Sequence, residues 1–242
     1  MKQIKNLTAT IILWTLALTA SAQTFTAEQI EKYAKDKYGD NWTEAAVNLK
    51  NEVALDNKNR LNYQEVIECP GQSKDQLYDK ALEWFEKAYR SKDTHGVVQD
   101  SDKVKGVIVT RAYIEKIAAQ SAGVNHYQVD MAPYIRVDVK EEKARVSVYM
   151  DSYEVTVTEG GGWTSAIAST LATVVTGETD EDAEGKDEVW NISSCFPYVQ
   201  KDKHKKASSK AFVMASAFQN SIIDILKEAL LADSSSAFDD NW

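Results

Sequence analysis

The chain has 242 residues, 43% of them hydrophobic, with 37 acidic against 28 basic side chains and a formal charge of -9. That composition suits a globular protein and rules out a wholly disordered chain. The acidic surplus argues against nucleic-acid binding, which needs a basic face to displace counterions from phosphate.

At the N-terminus Lys2 and Lys5 precede an apolar run over 11–18, followed by the small-x-small triplet Ala20-Ser21-Ala22. Charge, apolar run and cleavage site in that order predict a signal peptide over 1–22, a mature start at Gln23, and a periplasmic or extracellular location. A buried N-terminal helix is the competing reading. The run is shorter than the roughly 20 residues that span a bilayer, and no later stretch replaces it, so no transmembrane segment is expected. Removing 1–22 takes away two lysines and no acid, leaving 26 basic against 37 acidic residues and a charge of -11.

Thr26 and Gln29 form a capping-box pair that predicts a helix ending at Tyr38, with Gly39 free to turn. Asn41 and Glu44 start a second helix with Trp42, Ala45, Ala46 and Leu49 on one face, completing a helical preface over 23–60. Val53 and Leu55, ahead of the turn-rich Asp56-Asn57-Lys58-Asn59, suggest a first hairpin strand over 52–55 pairing with 61–68. Pro70-Gly71 then stops the strand, and Ser73 with Gln76 caps a helix over 74–89. Its apolar positions Leu77, Ala81, Trp84, Phe85 and Ala88 require a sheet beneath them.

Strands follow at 97–99 and 106–113, the latter extending toward 117; 118–132 shows no clean period and reads as a loop. Tyr134 to Val139 alternates Ile135, Val137 and Val139 with Arg136 and Asp138, and Val146, Val148 and Met150 return opposite Arg145, Ser147 and Tyr149 as an antiparallel hairpin. Tyr153, Val155 and Val157 resume on the opposite parity, which requires a bulge or bend near Asp151. An insertion over 158–206 holds Gly160-Gly161-Gly162, a short helix over 165–175, an acidic tract over 178–188 and a basic tract over 201–206. A long helix over 208–231, with Ala211, Ala215, Phe218, Ile222, Ile225 and Ala229 at helical spacing, completes the domain within 207–232, and 233–242 is a loose tail.

Without preface and insertion the order is strand, helix, four strands, helix, an α+β arrangement with both long helices on one face of an antiparallel sheet. The block 61–153, carrying IECPGQSKDQLYDKALEWF and the later hairpin, resembles an uncharacterised exported Bacteroidetes domain of unknown function with a TBP-like (TATA-box-binding-protein-like) fold. The resemblance implies that fold and a core of 61–157, and it brings no activity and no site residues. The fold's namesake grips DNA, but this chain's charge opposes that use, and fold alone does not transfer function.

The segment Asp180-Glu181-Asp182-Ala183-Glu184-Gly185 echoes a calcium loop, yet Asn191 stands where the bidentate glutamate belongs, so no metal is expected. Lys201, Lys203, His204, Lys205 and Lys206 could meet an anionic surface or simply neutralise the acidic tract. No zinc spacing, nucleotide loop or nucleophile elbow occurs, so neither a cofactor nor an enzyme is expected, although a triad dispersed along the chain would escape such scanning. Cys69 and Cys195 can close a disulfide or stay reduced and buried. These features lead to a non-catalytic envelope binding module for a protein or glycan, through a sheet face bearing Arg136, Arg145 and Tyr149. An envelope hydrolase with its site between sheet and insertion, and an architectural or assembly protein, are the alternatives.

Overall fold

A computed structural model describes residues 26–88, 95–159 and 186–232. The signal peptide, the glycine run, the short helix at 165–175, most of the acidic tract and the tail lie outside the described residues.

Three helices begin at the caps expected for them. Thr26 Oγ1 accepts from the Gln29 amide at 3.3 Å and Gln29 Oε1 from the Thr26 amide at 3.2 Å. From there α1 runs Ala27–Tyr38 and Gly39 turns the chain at φ 85°. Asn41 accepts from the Glu44 amide and opens α2, Trp42–Glu52. Ser73 and Gln76 exchange the same reciprocal bonds ahead of α3, Lys74–Ala88. Each cap satisfies first-turn amides that the helix itself leaves bare, an effect of about 1 kcal/mol.

Eight strands make one antiparallel sheet among the described residues: β1 Leu61–Glu68, β2 His95–Asp102, β3 Val107–Ala122, β4 Asn125–Met131, β5 Tyr134–Lys140, β6 Lys143–Met150, β7 Ser152–Glu159 and β8 Lys186–Asn191. Their order is β1-β6-β5-β3-β4-β7-β8, with β2 on β3. Registers show how so many strands fit. β5 and β4 lie end to end along β3, β6 and β7 lie end to end beside them, and β1 and β8 flank that pair in turn.

A line of interruptions crosses the sheet where partners change. Lys116 takes φ 58° at a register shift in β3, Pro133 separates β4 from β5, and Asp151 separates β6 from β7. The bend expected near Asp151 is present: Met150 is buried, and burial resumes on odd positions at Tyr153, Val155 and Val157.

Three expectations differ from the structure. Residues 118–122 and 125–131 are strand, joined by a turn, because the bulge at Lys116 moves burial from Ala112 and Ile114 to Ile117 and Ala118 and so hides the two-residue period. The hairpin at 52–55 shrinks to a single bridge, Leu55 to Leu61. Here α2 runs on to Glu52, and Asp56 closes a tight turn by accepting from the Lys58 and Arg60 amides, which leaves no length for a strand. Past Thr158, β7 continues to Glu159, and β8 extends the sheet from within the expected insertion.

The last helix, α4, spans Lys205–Leu231. It lies against β1, β3, β4 and β6 on one side, α1 and α2 on another, with α3 beside it. Consequently every residue from Ala211 to Gln219 is buried, not only the stripe that its period marks. Gln219, itself buried, donates through Nε2 to the Val148 carbonyl at 3.0 Å and the Leu61 carbonyl at 3.5 Å, tying the helix to β6 and β1. Burying each of Phe212, Phe218, Ile222 and Leu226 contributes about 1.5–3 kcal/mol.

Gly106 in the turn before β3 has φ +70°, and a Cβ there would sit 2.6 Å from the Val139 carbonyl oxygen and 2.7 Å from the Lys74 side chain. Gly106→Ala should therefore lower unfolding stability by about 1–3 kcal/mol, read by urea denaturation. An unchanged midpoint would contradict the packing of this turn on β5.

Candidate functional site

With α3 and α4 on one face, the opposite face of the sheet carries the side chains chosen from sequence. Asn62, Tyr149, Tyr134, Arg111 and Val97 are successive cross-strand partners. Tyr134 and Tyr149 stack with ring centres 5.4 Å apart and planes 11° from parallel. Arg60 covers Tyr149 at 4.6 Å, and Arg111 lies 5.4 Å from Tyr134 and 4.9 Å from Tyr113. The Arg111 Nε and the Asn62 Oδ1 are buried without a partner, while the other end of Arg111 donates to Glu154 at 2.9 Å.

Arg136 and Arg145 stand beside this row and converge on one carboxylate. Asp138 accepts from Arg136 Nη2 at 2.7 Å and from Arg145 Nη2 at 3.1 Å. Burial pushes the Asp138 carboxyl up, but the bonds and charges of the two arginines outweigh it and hold it below the usual range. The structure thus brings Arg136, Arg145 and Tyr149 onto one face and engages both guanidinium groups there. Tyr134 was legible from the hairpin register as the partner of Tyr149. Arg111 and Arg60 were not, since one needs the β3–β5 register and the other reaches in from a turn.

Cys69 and Cys195 are free and buried. The disulfide alternative fails on distance. Cys69 follows Glu68, paired with Lys143, whereas Cys195 follows Asn191, paired with Ser152, so the length of β6 separates them. At roughly 3.3 Å per residue that is about 25 Å, far beyond the ~7 Å limit between bridged Cα atoms.

A second feature occupies the helix-bearing face at the β8 corner. Beyond β8 the chain makes a short 3-10 turn, Ile192–Ser194, and a loop leading to α4. Together they enclose an open cavity of about 390 Å³ lined by Glu188, Trp190, Cys195, Lys201, Lys203 and His204 among others. His204 is only 5% exposed. Its ring stacks on Trp190 at 4.5 Å and 20°, and its centre lies 4.3 Å from that of Tyr127. Neither ring nitrogen has a partner. Burial, then the Lys203 charge, lowers the His204 pKa against the weaker pull of Asp202 and Glu188.

Asp202 does the work at the start of α4, where His204 makes no side-chain cap. It accepts from the Phe196 amide at 2.9 Å, the His204 amide at 2.7 Å and Ser208 Oγ at 2.6 Å. Burial raises the Asp202 carboxyl, and these bonds more than reverse the shift. Glu188 accepts from Trp190 Nε1 at 3.1 Å. Burial pushes the Cys195 thiol up to about 11, so it stays protonated at neutral pH. Sequence reading placed His204 in a surface charge cluster; its burial depends on Trp190 and Tyr127, which no local spacing connects to it. No group of acidic, histidine or cysteine side chains among the described residues is arranged to hold a metal ion.

Residues 63–154 match the family model described as a domain of unknown function (DUF4468) with TBP-like fold. This segment is similar to DUF4468 domains. It runs from β1 into β7 and contains Arg111, Tyr134, Arg136, Arg145 and Tyr149, whereas Trp190 and His204 lie outside it. The fold is therefore TBP-like and α+β, as the sequence suggested. Similar solved structures include a TBP-like protein from Parabacteroides distasonis, 13% identical, covering 75% of this chain and 99% of its own with a TM-score of 0.45. A DUF4468 family protein from Bacteroides ovatus is 15% identical, covering 76% of this chain and 92% of its own with a TM-score of 0.42. No curated protein matches the chain. No helix among the described residues is long and apolar enough to cross a membrane.

Two pH effects follow for this protein. Asp138 and Asp202 have folded pKa values below their unfolded ones, so their stabilisation is complete above the unfolded aspartate pKa of about 4 and is lost as pH falls below it. Asp202→Asn should flatten that acid limb in urea denaturation run at several pH values. His204 has a lowered pKa as well, so stability should also decline as pH falls through about 6.5, where the unfolded histidine takes up its proton first. His204→Phe should remove that second decline and, by eliminating an unpaired buried polar group, raise stability by about 1–2 kcal/mol. A destabilised phenylalanine variant would contradict this placement of the ring.

Proposed function

We propose that the mature chain is an exported, non-catalytic binding module of the cell envelope that recognises a protein or glycan through the outer sheet face. The observation that carries this reading is the ladder of Arg60, Tyr149, Tyr134 and Arg111, with ring stacking and cation–π contacts on a rigid sheet. Aromatic and arginine side chains fixed in advance are the usual anchors of recognition, because little rotamer freedom remains to be lost on binding. Export rests on the Lys2/Lys5, apolar and Ala20-Ser21-Ala22 pattern.

A hydrolase has less support. His204 bonds to no nucleophile, the Cys195 thiol is held protonated, and the Ser121–His126 contact of 3.1 Å sits on exposed residues near the β3–β4 turn. The assembly alternative needs a contiguous apolar surface. Exposed large apolar residues such as Val47, Val104, Val124 and Val189 belong instead to separate elements.

Cross-linking pull-down of the tagged mature protein from native envelope tests the proposal. A specific partner should be captured by the wild type, and its recovery should drop about tenfold or more for Tyr149→Ala and for Arg145→Ala, the loss typical of an interface anchor. Equal recovery by both variants, or capture of nothing but the protein itself, would reject the outer face as the binding surface.

A further inference from the structure

His204 ties three elements together at the β8 corner. Its ring fills a slot between Trp190 on β8 and Tyr127 on β4, with ring centres 4.5 Å and 4.3 Å away, while its backbone stands at the N-cap of α4. The residue is 5% exposed, and neither ring nitrogen reaches solvent or has a partner. A neutral imidazole tolerates this position at the cost of one unmade donor bond and one unmade acceptor bond. An imidazolium fares worse. Both of its N–H groups must donate, and the carboxylates at hand are committed: Glu188 accepts from the Trp190 indole, and Asp202 from the Phe196 amide, the His204 amide and Ser208 Oγ. Attraction of the cation to two aromatic faces recovers only part of the lost hydration.

The charged groups around the ring leave that balance unchanged. Burial and the Lys203 charge act against the cation, and Asp202 and Glu188 together do not offset them. Lys201 lines the same cavity, and Lys205 on α4 lies over the Phe196 ring at 4.3 Å. The Cys195 thiol, pushed up to about 11, is uncharged at neutral pH. From the sheet come the Tyr127 ring on β4 and, on β3, the uncharged Gln120, whose side-chain carbonyl accepts from the Ala207 amide.

An exit adjoins the slot. The open cavity of about 390 Å³ is lined by His204 itself. Asp202 holds the backbone of the turn through Phe196, His204 and Ser208, so the start of α4 stays anchored when the side chain turns. Among the described residues β8 pairs only with β7, which puts the slot at the margin of the sheet and away from the β5–β6 ladder.

We propose that this corner is a proton-operated latch: protonation of His204 drives its ring out of the slot between Trp190 and Tyr127 into the adjoining cavity, uncovering both aromatic rings while the rest of the sheet stays folded. With the ring out, the imidazole is hydrated and takes up its proton near the ordinary histidine value of about 6.5; with the ring in, it does so only at lower pH. The ratio of open to closed latch therefore rises as pH falls below about 6.5, by at most about tenfold per unit, and the closed form prevails at neutral pH. This is a local change, separate from the decline in global stability that the unfolded histidine brings.

Two-dimensional NMR of the mature protein between about pH 7.5 and 4.5, above the range in which the aspartates lose their charge, tests the latch. The His204 ring should titrate with an apparent pKa below about 6.5, and the Trp190 indole and Tyr127 ring signals should shift on the same curve, while the β5 and β6 amides keep theirs. His204→Phe keeps a ring in the slot and removes the titrating nitrogens, so the Trp190 signals should hold constant across the range. Tyr127→Leu, a second variant, takes away one wall of the slot and should raise the His204 pKa toward the ordinary value. The proposal is overturned if His204 titrates while Trp190 and Tyr127 hold still, if it takes up no proton over the whole range, or if the β5 and β6 signals are lost together with those of the corner.

Discussion

A helix buried on all sides is the constraint on which the rest of this molecule depends. From Ala211 to Gln219, α4 has no solvent-facing side, because the sheet lies under it, α1 and α2 lie over it and α3 lies beside it. Such a helix is stable only when both layers are in place, since its apolar surface would otherwise face water from one side or the other. The preface helices are therefore structural. They are the upper wall of the same core, and Lys210 on α4 pairs with Glu31 on α1 at 2.6 Å across that contact. Gln219 fixes the lower side by reaching the carbonyls of two neighbouring strands, a polar clamp within an apolar interface.

This arrangement separates two kinds of surface. The helix-bearing side of the sheet is consumed by packing except at the β8 corner, where α4 begins and its cover thins to a single loop. The opposite side carries no helix of the described residues, and its polar side chains bond laterally, as in the Arg136–Asp138–Arg145 group. Lateral bonding holds the face in one geometry before any partner arrives. The segment matched by the family model supplies most of that outer face, with Arg60 and Asn62 just ahead of it, while the corner joins Tyr127 from within the segment to Trp190 and His204 from beyond it.

Much of the fold was legible where a local rule acts alone. Capping boxes at Thr26 and Ser73, the hairpin around Lys140 and the parity change at Asp151 each depend on a few adjacent residues, and each is found where those residues place it. Reading failed where one residue breaks a period. Lys116 adopts a left-handed conformation uncommon outside glycine, and the Asp130 carboxylate accepts from its amide at 2.6 Å to hold it there. That single irregularity made a strand look like a loop. The sites divide in the same way. Tyr134 beside Tyr149 follows from hairpin register, whereas His204 against Trp190 and Tyr127 requires knowing that a distant strand joins the sheet edge, which no spacing in the sequence encodes.

The end-to-end placement of β1 and β8 has a consequence for association between copies. A long, flat, unpaired strand is a template on which another chain can continue the sheet. Here the flank beside β6 and β7 is divided between two short strands from distant parts of the chain, of eight and six residues, and the division falls where the sheet changes partners. Glu65, Glu68, Lys186, Asp187 and Glu188 place charge along it. On β2, the strand on the far side of β3, a register shift and Asp100 and Asp102 have the same effect. Among the described residues, the free backbone along this flank is thus broken into short, charged runs that make a poor template for a second copy to extend.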